Sequence, residues 1–331
     1  MTSTDQLEAA DLARATELLG AVGDAFADKV AGQDRLRTSL LVALLAEGHL
    51  LIESLPGLAK TLASSTLAHA INASFSRIQC TPDLLPSDII GTQVYDPRHH
   101  TFETQLGPVH ANIVLLDEVN RASAKTQSAM LEAMQERQTS IAGQIHPLPR
   151  PFLVLATQNP IEQEGTYVLP EAQLDRFLLK EVLDYPSHGE ELVVLDRVAD
   201  GTFEHVATTG VVGTEQVRDL QELTRRVYVD AAVKRYIVDL VHATRDTRAS
   251  IGPELGDYVD TGASPRASIA FFRVAQALAV LGGRDHVVPE DVQQLRHGVL
   301  RHRLHLTFEA LADRVPPETI IDAVFAAVPT P

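Results

Sequence analysis

Short apolar runs alternate with amphipathic segments through the first half of the chain, and this alternation restricts the possible folds more than any other feature. The apolar runs lie at residues 49–53, 113–116 and 152–156, and residues 75–79 are another strand candidate. Their length and composition are typical of strands buried in a parallel sheet. Residues 61–71 and 123–137, which lie between such runs, read as helices. Strands that alternate with helices predict a parallel α/β sheet with crossover helices.

The second half of the chain changes character after the Tyr-Pro-Ser sequence at residues 185–187. The patterns that follow are helical, at residues 215–226, 231–245, 265–281 and 289–300. A chain of 331 residues is also too long for one ordinary hydrophobic core. We therefore predict two domains, an α/β domain at residues 1–210 and a smaller all-helical domain at residues 211–331.

The charge balance disfavours some classes of partner. Acidic side chains number 44 and basic ones 28, which gives a formal net charge of −16. A surface this negative repels phosphate backbones and anionic lipid, so we expect no general coating of nucleic acid. The longest apolar stretch, residues 40–46, is too short to insert across a bilayer. Because Cys80 is the only cysteine, no internal disulfide can form, and we expect a cytoplasmic protein.

The loop Ser-Leu-Pro-Gly-Leu-Ala-Lys-Thr at residues 54–61 follows a predicted strand and precedes a predicted helix. Free N–H groups of such a loop and of a helix N-terminus bind phosphate, and the helix dipole favours negative charge there. Lys60 would neutralise the β- and γ-phosphates, and the Thr61 hydroxyl would bind magnesium. The residues expected to bind the nucleotide are Leu55, Pro56, Gly57, Leu58, Ala59, Lys60, Thr61 and Leu62. Taken alone, the segment is also compatible with an ordinary strand–turn–helix connection.

Two other predicted strands end in polar residues that would complete a nucleotide site. The run at residues 113–116 is followed by Asp117 and Glu118. At the carboxyl edge of a parallel sheet, Asp117 would bind the same magnesium and Glu118 would activate the attacking water. The run at residues 152–156 leads to Asn159, which can hold that water near the γ-phosphate. Because these motifs occur together and in this order, we favour an ATP site over solvated acids at a strand end.

With these motifs in place, the chain resembles the MoxR family of AAA+ ATPases over most of residues 30–300. The likeness extends well beyond the site motifs and is too dense to arise by chance. Its main runs are CTPDLLPSD at 80–88, GPV at 107–109, DEVNRA at 117–122, KTQS at 125–128, LEAMQER at 131–137, ATQNPIEQEGTY at 156–167, EAQLDRF at 171–177 and GASPRA at 262–267.

The resemblance implies a five-stranded P-loop AAA+ core with a helical lid, which binds ATP or ADP with Mg²⁺ and assembles with itself as a hexameric ring. It implies that Arg176 is an arginine finger that reaches into a neighbour's site, where a guanidinium offsets charge developing on the γ-phosphoryl group. Arg266 resembles the second sensor, an arginine that contacts phosphate and couples lid position to nucleotide. Val30, Gly32 and Gln33 resemble the segment that lies against adenine. Without the resemblance, Asp175-Arg176 would read as a local ion pair.

Two hairpins are predicted inside the α/β domain. Their strands lie at residues 93–95 with 101–104, and at 139–141 with 144–146. The resemblance implies that they are the helix-two insert and the hairpin before the first sensor strand. It also implies a chaperone-like role in remodelling protein clients, including metal or cofactor insertion and complex assembly, together with a partner that carries a von Willebrand factor A domain.

Three other functions stay open at this stage. A motor that remodels nucleic acid would be expected to carry Lys or Arg at the tip of the second hairpin, whereas residues 142–144 are Ala-Gly-Gln. A magnesium-chelatase-type motor subunit shares the clade, but the sequence has no porphyrin-specific feature. A scaffold that binds nucleotide without hydrolysis is disfavoured by intact Glu118, Asn159 and Arg176.

A few further residues carry structural expectations. Ser54 stands where family members usually have glycine, and it adds a Cβ to a loop that can need unusual torsions. His297, His302 and His305 lack a cysteine or carboxylate that would complete a metal site, so we expect a solvated helix end. Cys80 is expected to be a small core side chain.

Overall fold

The computed structural model describes residues 7–55, 57–160, 167, 169–199 and 210–331. The chain divides into two compact units. We call residues 18–170 with 181–219 the α/β unit, and residues 1–17, 171–180 and 220–331 the helical unit. The strands of the first 199 residues are β1 (Leu50–Ser54), β2 (Phe75–Gln79), β3 (Gly91–Asp96), β4 (Thr101–Leu106), β5 (Ile113–Asp117), β6 (Gln138–Ile141), β7 (Gln144–Pro147), β8 (Leu153–Gln158) and β9 (Leu179–Leu183).

Five of these strands form one sheet, in the order β2-β5-β8-β1-β9. The pairs β2–β5, β5–β8 and β1–β8 are parallel. The apolar residues of β5 are fully buried, as expected for a strand covered on both faces by helices. The register pairs Ile52 with Thr157, Leu116 with Ala156, and Gln79 with Asp117. The carboxyl ends of β1, β2, β5 and β8 therefore lie along one edge of the sheet.

The helices of the same part of the chain connect or flank these strands. They are α1 (Ala9–Lys29), α2 (Asp34–Leu45), α3 (Lys60–Ala70), α4 (Pro86–Ile90), α5 (Ala124–Glu136), α6 (Glu171–Leu174) and α7 (His188–Ala199). Ser123 is the N-cap of α5, and its hydroxyl accepts a hydrogen bond from the N–H of Thr126 at 3.3 Å. The sequence did not predict the short helix α4 or the strand β9.

Both predicted hairpins are present. β3 pairs antiparallel with β4, and β6 pairs antiparallel with β7. Ala142 and Gly143 connect β6 to β7 with φ of 50° and 82°, the two positive values that a type I′ turn requires. Gly91, with φ of 109°, starts β3 where a Cβ would come within 2.3 Å of the Gln105 carbonyl oxygen. The close approach of the two strands at this point therefore needs glycine.

The second half of the described chain is almost entirely helical. Its helices are Thr214–Arg226, Ala231–Ala243, Thr247–Ile251, Pro253–Gly256, Pro265–Leu281, Pro289–Gln294, Arg296–Leu300, Phe308–Ala312 and Pro317–Ala327. The single helix predicted at residues 289–300 is interrupted at Leu295, which has φ of −111° and ψ of 25°. A short antiparallel pair, Val259–Thr261 with His305–Leu306, was not predicted.

The predicted fold class is confirmed: a five-stranded α/β core is followed by a smaller helical domain. The boundary at residues 210 and 211 stays a prediction. The compact units do not follow that boundary, because residues 1–17 and 171–180 group with the helical unit. Among the described residues, no helix combines the length and apolarity that crossing a bilayer requires.

His49 precedes β1 and is buried in the α/β unit, where both ring nitrogens have partners. Nδ1 accepts a hydrogen bond from the N–H of Val154 at 3.0 Å, and Nε2 donates to the carbonyl oxygen of Met134 at 3.1 Å. Burial lowers the pKa of His49 to about 4, although the hydrogen bond to the Met134 carbonyl opposes that shift. A proton on Nδ1 would face the N–H of Val154, so the folded chain keeps this histidine neutral.

We predict that the folded chain loses stability as the pH falls from about 6.5 to about 4. In this window the unfolded chain binds a proton at residue 49 that the folded chain excludes, so the free energy of unfolding falls with falling pH. Full titration of His49 corresponds to ~3 kcal/mol. The measurement is the urea midpoint as a function of pH, with His49→Gln as control because glutamine can donate to the Met134 carbonyl without titrating. Equal pH dependence in the two proteins would contradict the assignment.

Candidate nucleotide-binding site

The loop that follows β1 has the backbone conformation of an anion-binding loop. Gly57 has φ of 86° and Ala59 has φ of 52°, while Leu58 between them is buried. Left-handed residues in a tight loop bring successive N–H groups to one side, which makes a concavity for an anion. A Cβ added at Gly57 would meet nothing within 4 Å, so there is space beside the loop. Pro56 lies outside the described residues.

Helix α3 begins directly after Ala59, at Lys60. Its first N–H groups have no partner within the helix, and its dipole adds positive potential at this end. Thr61 and Leu62, both half-buried, lie in its first turn, while Leu55 directly follows the preceding strand β1. The loop and helix therefore fit a phosphate group in the way that the sequence predicts.

Ser54, where the family has glycine, is the last residue of β1 and is buried. Its φ is not positive, and its hydroxyl donates to the carbonyl oxygen of Leu55 at 3.3 Å. A Cβ in extended backbone causes no strain. The conformational demand of the loop falls on Gly57 and Ala59 instead.

Asp117 ends β5, and its two carboxylate oxygens have different partners. Oδ1 accepts from the Thr157 hydroxyl at 2.7 Å, and Oδ2 accepts from Nη2 of Arg77 at 2.6 Å. Burial alone would raise the pKa of Asp117, but the hydrogen bonds from Thr157 and Arg77, with the charges of Arg77 and Lys60, hold it below its ordinary value. Asp117 is therefore ionised at neutral pH.

Glu118 follows Asp117 in a left-handed conformation, with φ of 56° and ψ of 53°. Such a conformation is strained for a residue with a side chain, and it separates the directions of two consecutive carboxylates. Oε2 of Glu118 accepts from Nε2 of Gln79 at 2.9 Å and from Nη1 of Arg121 at 3.1 Å. The N–H of Glu118 donates to the Thr157 hydroxyl at 2.9 Å. Thr157 therefore binds both members of the acidic pair.

The strand order brings Lys60 to the same edge as both acids, because Lys60 begins α3 after β1, Asp117 ends β5, and β1 and β5 both flank β8. Burial lowers the pKa of Lys60, while the negative charges of Asp117 and Glu118 oppose that shift. The charges of two carboxylates at the carboxyl edge of the sheet therefore favour the cationic form of Lys60. The strand β8 lies between β1 and β5, and Asn159, one residue beyond the end of β8, is also buried.

The segment predicted to lie against adenine is also in the α/β unit. Val30 is buried, Gly32 has φ of 67°, and Gln33 is the N-cap of α2. Helix α7 contacts the chain just before this segment, because Nη1 of Arg197 donates to the carbonyl oxygens of Ala27 and Asp28, each at 3.1 Å. These contacts hold the backbone that leads into the segment.

Arg176 and Arg266 both belong to the helical unit. The local ion pair between Asp175 and Arg176 does not form; Asp175 instead pairs with Arg303, whose Nε donates to Oδ1 at 2.8 Å. Arg266 lies in the first turn of the helix Pro265–Leu281 and is exposed.

The three histidines do not form a metal site. His297 pairs with Asp322, and His305 pairs with Glu171. The expectation of a solvated helix end was wrong for His302, which is buried and bonded to the Phe177 carbonyl oxygen. Cys80 is a buried core side chain, as expected, and burial raises its pKa to about 12.

Sequence reasoning missed four residues that support the acidic pair: Arg77, Gln79, Arg121 and Thr157. Arg77 and Gln79 alternate along β2 and so share one face of the sheet. A signal was present, because polar side chains at the carboxyl end of the strand next to β5 must lie beside Asp117. Strand order is needed to use that signal, and the sequence did not specify it.

The donor set fits a magnesium ion. Mg²⁺ binds through one or two carboxylates, hydroxyls, waters and substrate phosphates rather than through a closed protein cage. Asp117 is ionised and the Thr61 hydroxyl is in the first turn of α3. Asp117 and Thr61 would be its protein ligands, and the ion would neutralise phosphate charge when bound with nucleotide.

Comparisons with known proteins agree with this fold. A family model described as "ATPase family associated with various cellular activities (AAA)" matches residues 49–179, and one described as "AAA lid domain" matches residues 256–324. A crystal structure of an inferred ATPase from Cytophaga hutchinsonii superposes with a TM-score of 0.90 and 42% identity, over 97% of each chain. The fold and these matches thus define a protein of the AAA+ ATPase class.

Curated relatives narrow the class to a family. The chain is 48% identical over 304 residues to Chaperone MoxR1 of Mycobacterium tuberculosis, and the alignment covers 91% of this chain and 79% of the relative. It is 32% identical over 321 residues to Protein MoxR of Paracoccus denitrificans, and the alignment covers 91% of this chain and 93% of the relative. The chain belongs to the MoxR family of AAA+ ATPases.

We predict that Thr157→Val lowers the stability of the protein by about 1–3 kcal/mol, because it removes the hydroxyl that donates to Asp117 and accepts from the N–H of Glu118. The change keeps the size of the side chain, so packing is preserved. Thr157→Ser keeps the hydroxyl and is the matched control. Urea unfolding of the three proteins measures the effect, and a valine variant as stable as the serine variant would rule out the bridge.

Proposed function

We propose that this chain binds ATP with Mg²⁺ and hydrolyses it to ADP and phosphate. The observation that carries the proposal is the strand order, which brings the left-handed loop and Lys60 after β1 and the acids Asp117 and Glu118 after β5 to the carboxyl edge on either side of β8. One cation and two acids, one of which is ionised through its hydrogen bonds, match what a triphosphate–magnesium complex requires.

Each residue has a role that its position supports. The loop N–H groups and Lys60 bind the β- and γ-phosphates, and Asp117 with Thr61 holds the metal. Glu118 accepts a proton from the attacking water, and Asn159 orients that water. Gln79 and Arg121 hold the Glu118 carboxylate and so determine where its proton-accepting oxygen lies.

The remaining two arginines imply an oligomer. We propose that Arg176 acts on the nucleotide of a neighbouring subunit and that Arg266 contacts phosphate, as the family likeness implies. A guanidinium that reaches the γ-phosphate offsets the charge of the transition state. A ring of identical subunits, with six as the family number, supplies one finger to each site.

We propose that the motor acts on protein rather than on nucleic acid. The β3–β4 hairpin exposes Phe102 (66% exposed) and Leu106 (54%), and the β6–β7 hairpin exposes Ile145 (65%). Exposed apolar side chains on these hairpins suit a polypeptide client better than a phosphate backbone. In the β3–β4 turn, Asp96 accepts hydrogen bonds from the backbone N–H of Arg98 and from His99, which offsets the positive charge there.

The biological setting follows from the family. We propose a chaperone-like role in maturing client proteins, such as metal or cofactor insertion or complex assembly, with a partner that carries a von Willebrand factor A domain. The relative named Chaperone MoxR1 supports the chaperone class. A magnesium-chelatase-like motor subunit is the alternative, and no residue described above favours it.

We predict that Glu118→Gln lowers ATP hydrolysis by roughly 10²–10⁴-fold and leaves ATP binding intact, because glutamine keeps the shape but cannot accept the proton. Isothermal titration with ATP and Mg²⁺ and a phosphate-release assay measure the two quantities. Glu136→Gln, a change of an exposed acid at the end of α5, is the control and should behave as the unchanged protein. Hydrolysis at the unchanged rate in Glu118→Gln would exclude this residue as the base.

The shared site is tested by mixing inactive subunits. Glu118→Gln subunits keep the finger, and Arg176→Ala subunits keep the base, so mixed interfaces should contain complete sites. We expect activity to return partly at intermediate ratios. No recovery at any ratio would contradict a finger that acts between subunits. The Glu118→Gln protein with ATP then serves as bait for the client, which a stalled motor should retain.

A further inference from the structure

The segment that carries Arg176 is held inside the helical unit by three consecutive residues of the same unit. We call residues 171–180 the finger segment. It groups with residues 220–331, and Arg301, His302 and Arg303 each bind it. All three residues are buried, which is unusual for two arginines and a histidine in sequence.

Arg303 makes most of these contacts and is only 4% exposed. Its Nε donates to Oδ1 of Asp175 at 2.8 Å, and its Nη2 donates to the Phe177 carbonyl oxygen at 2.6 Å. Nη1 donates to the carbonyl oxygens of Leu178, at 3.2 Å, and Val299. One guanidinium thus binds the residues on both sides of Arg176. A rigid planar group with several fixed donors restricts the conformation of that backbone.

His302 and Arg301 extend the same contact. Nε2 of His302 donates to the Phe177 carbonyl oxygen at 3.1 Å, and Nη1 of Arg301 donates to the Lys180 carbonyl oxygen at 3.1 Å. Burial, and then the charge of Arg303, lower the pKa of His302 well below its ordinary value, so the ring stays neutral. The finger segment is therefore fixed mainly through its backbone, which leaves the Arg176 side chain for another use.

Asp175 connects this arrangement to the helix that carries Arg266. Oδ2 of Asp175 accepts from the Ser264 hydroxyl at 2.7 Å, while Oδ1 accepts from Arg303. The same Ser264 hydroxyl caps the helix Pro265–Leu281 and accepts from the N–H of Arg266 at 3.1 Å. The carboxylate of Asp175, the residue before Arg176, is thus bonded to the N-cap of the helix whose first turn holds Arg266.

We propose that Asp175 is a positioning residue that, with Arg303 and Ser264, makes the finger Arg176 and the sensor Arg266 parts of one rigid piece. The inference rests on the proposed function of Arg176 between subunits. Arg176 and Arg266 then keep a fixed position relative to each other, so a change sensed at phosphate by one is imposed on the other. The ion pair between Asp175 and Arg303 is hard to break, because the Arg303 guanidinium is buried and water cannot replace the Asp175 carboxylate.

The experiment adds Asp175→Asn to one member of the mixed pair described above. Asparagine keeps the shape and can still accept from Ser264, but it loses the charge that holds Arg303. In the Glu118→Gln subunit the change affects the finger donor; in the Arg176→Ala subunit it affects the subunit that supplies the base. We expect recovered kcat to fall at least tenfold only in the donor, with the KM for ATP unchanged within twofold.

Several outcomes separate the ideas. Equal loss in both placements, or loss in neither, would overturn the positioning role of Asp175. Failure of the unmodified pair to recover any activity would instead overturn the shared site itself. If Asp175→Asn subunits do not fold, as thermal unfolding would show, Asp175→Asn with Arg303→Gln removes charge and counter-charge together and is expected to give the same donor-specific loss.

A second pair of variants tests the link to the sensor helix. Ser264→Ala in the finger donor removes both the bond to Asp175 and a helix cap. Thr307→Ala removes a hydroxyl cap of another helix in the helical unit, where Thr307 accepts from the N–H of Ala310. We expect the first to lower recovered kcat at least threefold and the second to leave it unchanged. Equal effects would assign Ser264 to helix capping alone and overturn the link.

Discussion

The candidate site depends on the two hydrogen bonds of the Thr157 hydroxyl. This hydroxyl donates to the Asp117 carboxylate and accepts from the N–H of Glu118, so one side chain of β8 joins the end of β5. The parallel register makes this possible, because Leu116 already pairs with Ala156. Each acid then has a defined direction before any nucleotide arrives. Preorganised groups of this kind need little rearrangement at the moment of reaction.

Charge compensation explains why the site can hold two neighbouring acids near a buried edge. Asp117 is balanced by Arg77, Glu118 by Arg121, and both act on Lys60. Taking a carboxylate out of water is costly unless hydrogen bonds and opposite charges replace its solvation. Since Arg77 lies on β2 and Lys60 on α3, the compensation comes from different elements and depends on the sheet being assembled.

The sequence predicted what periodicity and local motifs encode, and it missed what the tertiary partners decide. Four of the five core strands, all but β9, and the helix at residues 265–281 were predicted from the residue pattern. Arg77 and Gln79 were missed because their role depends on β2 lying beside β5, a neighbour set by topology. The pairing of Asp175 with Arg303, 128 residues away, could not be read locally, so the adjacent Asp175-Arg176 suggested a pair that does not form.

The environment of His302 in the helical unit differs from what the sequence suggests. In the sequence it resembles a polar residue at an exposed helix end, yet it is buried between two arginines and stays neutral. A neutral histidine can donate to a carbonyl without adding a third positive charge, which a lysine or arginine at this position could not do. The Arg-His-Arg sequence therefore combines two permanent charges with one uncharged donor. This composition allows three buried polar residues to bind the backbone of the finger segment with Asp175 and Glu318 as their carboxylate partners.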